Sequence, residues 1–63
     1  MVIQAGKVRM LIYEKKLTQS SLAKEINVSR ATINNICRGS SCSEKTARRI
    51  ADALGVTLEE IKR

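Results

Sequence analysis

Hydrophobic residues recur along the chain at spacings of three and four, the period of helices with one buried face. The pattern predicts five helical segments and no strand. With their capping residues, the predicted segments are Gln4–Lys16, Thr18–Asn27, Ser29–Gly39, Ser43–Gly55 and a short last one beginning at Thr57. The sequence therefore predicts one all-α domain over residues 1–63, a compact five-helix fold.

Residues at the predicted segment ends are of types that start and stop helices. Side chains whose oxygen can accept from free N–H groups at a helix start are Thr18, Ser29, Ser43 and Thr57. Asn27 and Gly55 tolerate the left-handed conformation that ends a helix. Glu60 follows the last of these caps by three residues, the spacing of a capping box.

The same periodicity assigns an inner face to each of the first four helices. The residues predicted to lie in the core are Val8, Leu11, Ile12, Leu22, Ala23, Ile26, Ile33, Ile36, Cys37, Ala47, Ile50, Ala51 and Leu54; the last helix carries Leu58 and Ile61. Val28 and Ile33 have the spacing of a hydrophobic staple, which fixes the angle at which the chain enters the third helix.

Residues 19–38 have the pattern of a helix-turn-helix. Ala23 is small where a second helix must cross, and Asn27 suits the tight turn. The third helix turns five side chains outward, and they are small, amide or arginine types: Arg30, Ala31, Asn34, Asn35 and Arg38. The arginine and amide side chains can hydrogen-bond base edges and phosphates, and alanine can contact a thymine methyl group, whereas a solvated bundle helix usually mixes Glu and Lys.

Charge supports the same interpretation. Twelve Lys and Arg against six Asp and Glu give a net charge of +6. No acidic residue lies between Glu25 and Glu44, and Lys45, Arg48 and Arg49 follow directly. This regional positive charge is typical of a face that meets a polyanion.

Composition excludes several other functions. The chain has no histidine and two cysteines, too few ligands for a structural zinc site. We find no nucleophile–base pair and no phosphate-binding loop, so we expect no enzyme, cofactor or small-molecule ligand. No apolar stretch is long enough for a membrane span or a signal peptide, so we expect a cytoplasmic protein. Cys37 is expected to be buried and Cys42 to lie in a loop.

The chain resembles the phage-repressor (Cro/cI, XRE) family of helix-turn-helix domains from about Val8 to Ile61. The matching segments are Leu17-Thr18-Gln19, Leu22-Ala23, Val28-Ser29, Thr32-Ile33, Arg38-Gly39 and Ala51-Asp52-Ala53-Leu54-Gly55-Val56. The resemblance implies a transcription regulator, in most cases a repressor, that binds double-stranded DNA as a homodimer at a pseudo-palindromic operator.

The candidate site residues come from the resemblance and from side-chain chemistry together; the resemblance itself implies Gln19, Arg30, Ala31, Asn35, Arg38, Ser40 and Ser41. The candidates for base contacts are Arg30, Ala31, Thr32, Asn34 and Asn35. The candidates for phosphate contacts are Gln19, Ser29, Arg38, Ser40, Ser41 and Lys45. The candidates for the dimer interface are Val56, Leu58 and Ile61.

The chemistry of some of these side chains indicates base contacts independently of the resemblance. Arg30 suits the two acceptors of guanine, and Ala31 suits a thymine methyl group. Asn34 and Asn35 both suit adenine, but we expect only one of them to be aimed at a base.

The chain departs from the family pattern at a pair that is often an arginine and a glutamate, where it has Ile12 and Cys37. An apolar contact is expected to replace the ion pair there. The loop after Gly39 also lacks a frequent proline. Two other functions remain open at this point, a DNA-binding antitoxin and a helical bundle that binds only protein.

Overall fold

The computed structural model describes all 63 residues, Met1–Arg63. It confirms the predicted all-α fold. The five helices are α1 (Ala5–Glu14), α2 (Gln19–Ile26), α3 (Arg30–Cys37), α4 (Glu44–Leu54) and α5 (Leu58–Ile61). None of them combines the length and the apolar character that a bilayer crossing requires.

The predicted caps hold four of the five helix starts. The hydroxyl groups of Thr18, Ser29, Ser43 and Thr57 each accept a hydrogen bond from the backbone N–H three residues later. The expected capping box between Thr57 and Glu60 is only half formed, because the Glu60 side chain makes no return bond. The complete box is at α2, where Ser21 Oγ accepts from the Thr18 N–H.

Left-handed residues end two of the helices, as expected. Asn27 (φ 61°) follows α2 and Gly55 (φ 72°) follows α4. The first helix is shorter than predicted, since it stops at Glu14 and Lys16 takes a left-handed φ of 58°. A lysine gives no sequence signal for that conformation, which explains the longer prediction.

One cluster of fifteen buried residues, all hydrophobic, forms the core. It contains all thirteen predicted core residues. The other two members are Ile3, which the helical pattern did not include, and Ile61, which was expected at the dimer interface. Ile12 and Cys37 both lie in this cluster, so buried apolar side chains occupy the place of the ion pair.

The segment before α1 is tied to the end of the chain. Ile3 forms an isolated antiparallel bridge with Lys62, and the Gln4 N–H donates to the Ile61 carbonyl at 2.7 Å. The side-chain amide of Gln4 also donates to the Lys62 carbonyl at 3.0 Å. The first residue of the same segment contacts the α3–α4 loop: the Cys42 N–H donates to the Met1 carbonyl at 2.8 Å, which holds the loop in place.

Both cysteines are free thiols, Cys37 buried and Cys42 half-buried in the loop. Burial raises the pKa of the Cys37 thiol, against a smaller opposing effect of the Arg9 guanidinium. Burial also raises the pKa of the Cys42 thiol, opposed by the Met1 amino group.

We therefore expect both thiols of the folded protein to react slowly with a disulfide reagent at pH 7, because the thiolate is the reactive form. Cys42 should react before Cys37, and both rates should rise with pH as the thiolate fraction grows. Mass spectrometry of partially labelled protein measures the order. The control is labelling in urea, where the two rates should converge; equal rates in the folded protein would contradict the assignment.

Candidate nucleic-acid interface

The inner face of helix α3 is buried in the core, and its outer face is exposed to solvent. Ile33, Ile36 and Cys37 are at most 3% exposed and anchor its inner face in the core. The five outward residues of the sequence prediction are all exposed: Arg30, Ala31, Asn34, Asn35 and Arg38. The structure therefore presents this face to solvent as a continuous surface without acidic residues.

Helical spacing orders the outer face into a row. Arg30, Asn34 and Arg38 follow one another at intervals of four residues, so they are neighbours along one side of the helix. Arg30, Ala31 and Asn34 line one shallow hollow, which we call the α3 hollow. Asn35 does not line it. The structure thus distinguishes the two asparagines that the sequence left equivalent.

The first turn of α3 is held by a hydroxyl pair. Ser29 Oγ accepts from the Thr32 N–H at 3.1 Å, and the two hydroxyl oxygens lie 2.8 Å apart. Thr32 is half-buried and does not line the α3 hollow. Both side chains therefore stiffen the helix start, which positions Arg30 and Ala31.

The turn between α2 and α3 has the tight geometry that a helix-turn-helix needs. Asn27 is left-handed, and the Val28 N–H donates to the Ala23 carbonyl at 2.9 Å. Ala23 is 3% exposed, so the small side chain is enclosed where the helices meet. Arg49 of α4 donates to the Ile26 carbonyl at 3.4 Å and braces the end of α2. No sequence pattern indicated this last contact.

The candidates for phosphate contacts lie at helix ends and in one loop. Gln19 is the first residue of α2 and is half-buried, whereas Ser40, Ser41 and Lys45 are exposed. The Ser40 N–H donates to the Asn35 carbonyl at 3.0 Å, which starts the loop directly from the end of α3. Arg38 caps the same helix end.

Few of the cations have an acidic partner. The ion pairs are Arg48–Glu44, at 3.0 Å, and Lys62–Glu59, at 3.9 Å. Arg48 and Arg49 thus each have a partner within the protein, whereas Lys45 of the same helix has none. The unpaired cations among the candidate site residues are Arg30, Arg38 and Lys45.

The three candidates for the dimer interface differ in exposure. Val56 and Leu58 are half-buried and line a surface hollow together with Arg48 and Asp52. Ile61 is fully buried within the single chain, with 0% exposure. The expectation for Ile61 is therefore corrected. This side chain is not accessible to a partner; it belongs to the core cluster, against which Val56 and Leu58 pack.

No group of His, Cys, Asp or Glu side chains is arranged to hold a metal ion. Every buried side-chain nitrogen or oxygen has a hydrogen-bond partner, and the core holds no buried polar residue. The chemistry of the molecule is therefore concentrated on its surface, in hydrogen-bond donors and positive charge.

A sequence model of the helix-turn-helix family matches residues 8–61. The match includes α2 to α5 in full and α1 from Val8 onward. None of the curated proteins matches the chain.

Proposed function

This chain belongs to the helix-turn-helix family, in its phage-repressor (Cro/cI, XRE) branch, and from that membership we propose that it is a repressor acting as a homodimer on a pseudo-palindromic operator. The family match supports the coarser statement directly: the chain is a DNA-binding transcription regulator. The repressor role, the dimer and the operator are what we add.

The observation that carries the proposal is the outer face of α3. A helix fits the major groove, where each base pair presents its own pattern of donors, acceptors and methyl groups. The outer face offers two arginines, two carboxamides and one alanine, all exposed and none bonded to an acidic side chain. We infer that α3 lies in the major groove and that Arg30, Ala31 and Asn34 meet base edges.

Phosphate contacts are proposed for the residues that flank α3. Gln19 stands at the start of α2, and Arg38, Ser40, Ser41 and Lys45 follow the end of α3. Contacts of this kind fix the register of a protein on the duplex but carry no sequence information themselves. Ser29 and Thr32 are assigned to holding the helix start. Ser29 is exposed as a residue, so we propose a phosphate contact for it as well.

We propose that Val56 and Leu58 form the centre of the dimer interface. Both are apolar, half-exposed and close to the turn between α4 and α5. A symmetric pair would place two α3 helices on successive major grooves, with half-site centres about 34–36 Å apart.

The test of this function is selection of bound fragments from a pool of random duplexes, at two salt concentrations. We expect an inverted repeat whose half-sites are separated by about one helical turn. Enrichment of an unpaired single site would contradict the dimer. Retention of no duplex at low ionic strength would contradict DNA binding altogether.

Arg38→Ala is expected to reduce the salt dependence of binding. Each phosphate neutralised by a cation contributes about 0.9 to the slope of log K against log salt, so a dimer that loses two such contacts loses about 1.8. Affinities for one duplex at several salt concentrations give the slope. All sequences should weaken to the same extent, since a phosphate contact does not distinguish bases.

Lys15→Ala is the matched control for this charge removal. The ammonium group of Lys15 lies beside Gly55, which follows the C-terminal end of α4; a β-carbon added to Gly55 would be 3.6 Å from it. Lys45 lies at the other, N-terminal end of the same helix. The slope of this variant should stay within error of the unmodified protein. A loss as large as that of Arg38→Ala would assign the effect to net charge and not to the proposed contact.

A further inference from the structure

The α3 hollow brings together three different kinds of recognition chemistry. Arg30 contributes a guanidinium group, Ala31 a methyl group and Asn34 a carboxamide. Asn34 is four residues after Arg30 and three after Ala31, so it stands beside both on the helix surface. The three side chains therefore meet one small area of whatever enters the hollow.

The spacing of the first two residues limits what they contact. Arg30 and Ala31 line the same hollow, so the bases they contact lie close together. A guanine and a thymine belong to different base pairs, so one contact to each places the two residues on neighbouring pairs. The guanidinium of Arg30 has no acidic partner and matches the O6 and N7 acceptors of guanine.

An alanine methyl has no hydrogen bond to offer, so its favourable contact in the major groove is apolar. The apolar group there is the 5-methyl of thymine. The adenine of the same pair exposes its N6 donor and N7 acceptor beside that methyl, and the carboxamide of Asn34 has the matching acceptor and donor.

We propose that the α3 hollow reads a two-base-pair step, a G·C pair next to a T·A pair, with the thymine 5-methyl group against Ala31. This inference rests on the proposed function and names the bases that the site prefers. Since 5-methylcytosine has the same methyl group at the same ring position, cytosine methylation at this position strengthens binding. Asn35 lies outside the hollow and takes no part in reading this step.

The experiment uses the duplex obtained by selection and changes one methyl group at a time. Each thymine in one half-site is replaced by uracil, which removes only the methyl. Uracil at one thymine, next to the guanine that Arg30 reads, should weaken binding about fourfold, the value of one buried methyl group. In a second pair of duplexes the same position carries cytosine or 5-methylcytosine, and the methylated form should bind about fourfold more tightly.

Protein variants connect the methyl effect to the hollow. Two ratios of affinity measure the methyl effect: thymine over uracil, and 5-methylcytosine over cytosine. Ala31→Gly removes the contacting group, so both ratios should fall toward one. Ala31→Ser places a hydroxyl there and should have the same result without the flexibility of glycine. Ala5→Gly makes the same substitution at the start of α1 and should leave both ratios near four. Circular dichroism shows that each variant is folded.

The possible outcomes separate this inference from the function on which it rests. If no uracil changes the affinity, or if the ratios persist in Ala31→Gly and Ala31→Ser, the inference is overturned and the operator binding stands. If the protein binds no duplex, the proposed function fails first. A methyl effect that disappears only in the two Ala31 variants supports the assignment.

Discussion

Replacing Leu22 by alanine is expected to lower the free energy of unfolding by about 3–5 kcal/mol. Leu22 is fully buried, and α2 packs against both α3 and α4. Truncation removes apolar contacts and leaves a cavity that these two helices cannot close without moving. A domain of this length has a total stability of roughly 3–9 kcal/mol, so the loss removes about a third of that stability or more.

Thermal and urea unfolding followed by circular dichroism measure this loss. Tyr13→Ala is the control, because it deletes a larger side chain that is 85% exposed. Its effect should stay within about 0.5 kcal/mol, as for other surface changes. If the Leu22→Ala variant unfolded at the same temperature and urea concentration as the unmodified protein, the core would not be arranged as described.

Arg30→Ala is expected to weaken binding to the selected operator by about 1–3 kcal/mol for each half-site, roughly 5- to 150-fold per half-site. It should also relax the preference at one base position in each half-site. The reason is that a bidentate contact to guanine is lost, which penalises the preferred base and leaves the others unaffected. Titration of operators with each base at each position gives both quantities.

Two further substitutions separate base reading from attraction to phosphate. Arg30→Lys keeps the charge but not the paired donors, so it should relax the same base position and keep most of the salt dependence. Gln19→Ala should weaken all sequences nearly equally, because Gln19 is proposed to contact a phosphate. An equal loss of specificity in the two alanine variants would contradict this division of roles.

Most predictions that rest on local features were accurate; the exceptions are the capping box at Thr57 and the end of α1. Helix starts at Ser29 and Ser43 and helix ends at Asn27 and Gly55 are decided by a few adjacent backbone groups, which the sequence shows directly. The same holds for the outer face of α3, because the 3.6-residue period alone assigns Ile33 and Ile36 to the opposite side.

Periodicity and capping residues were enough to assign the five helices, most of the core and the candidate helix for base recognition. The contacts between distant residues became visible only in the folded chain. Ile3 joins the core through a bridge to Lys62, Ile61 is too deeply buried to contact a partner, and Arg49 donates a hydrogen bond to the end of α2. Caps and periodicity act over a few residues, whereas these contacts depend on how completed helices pack.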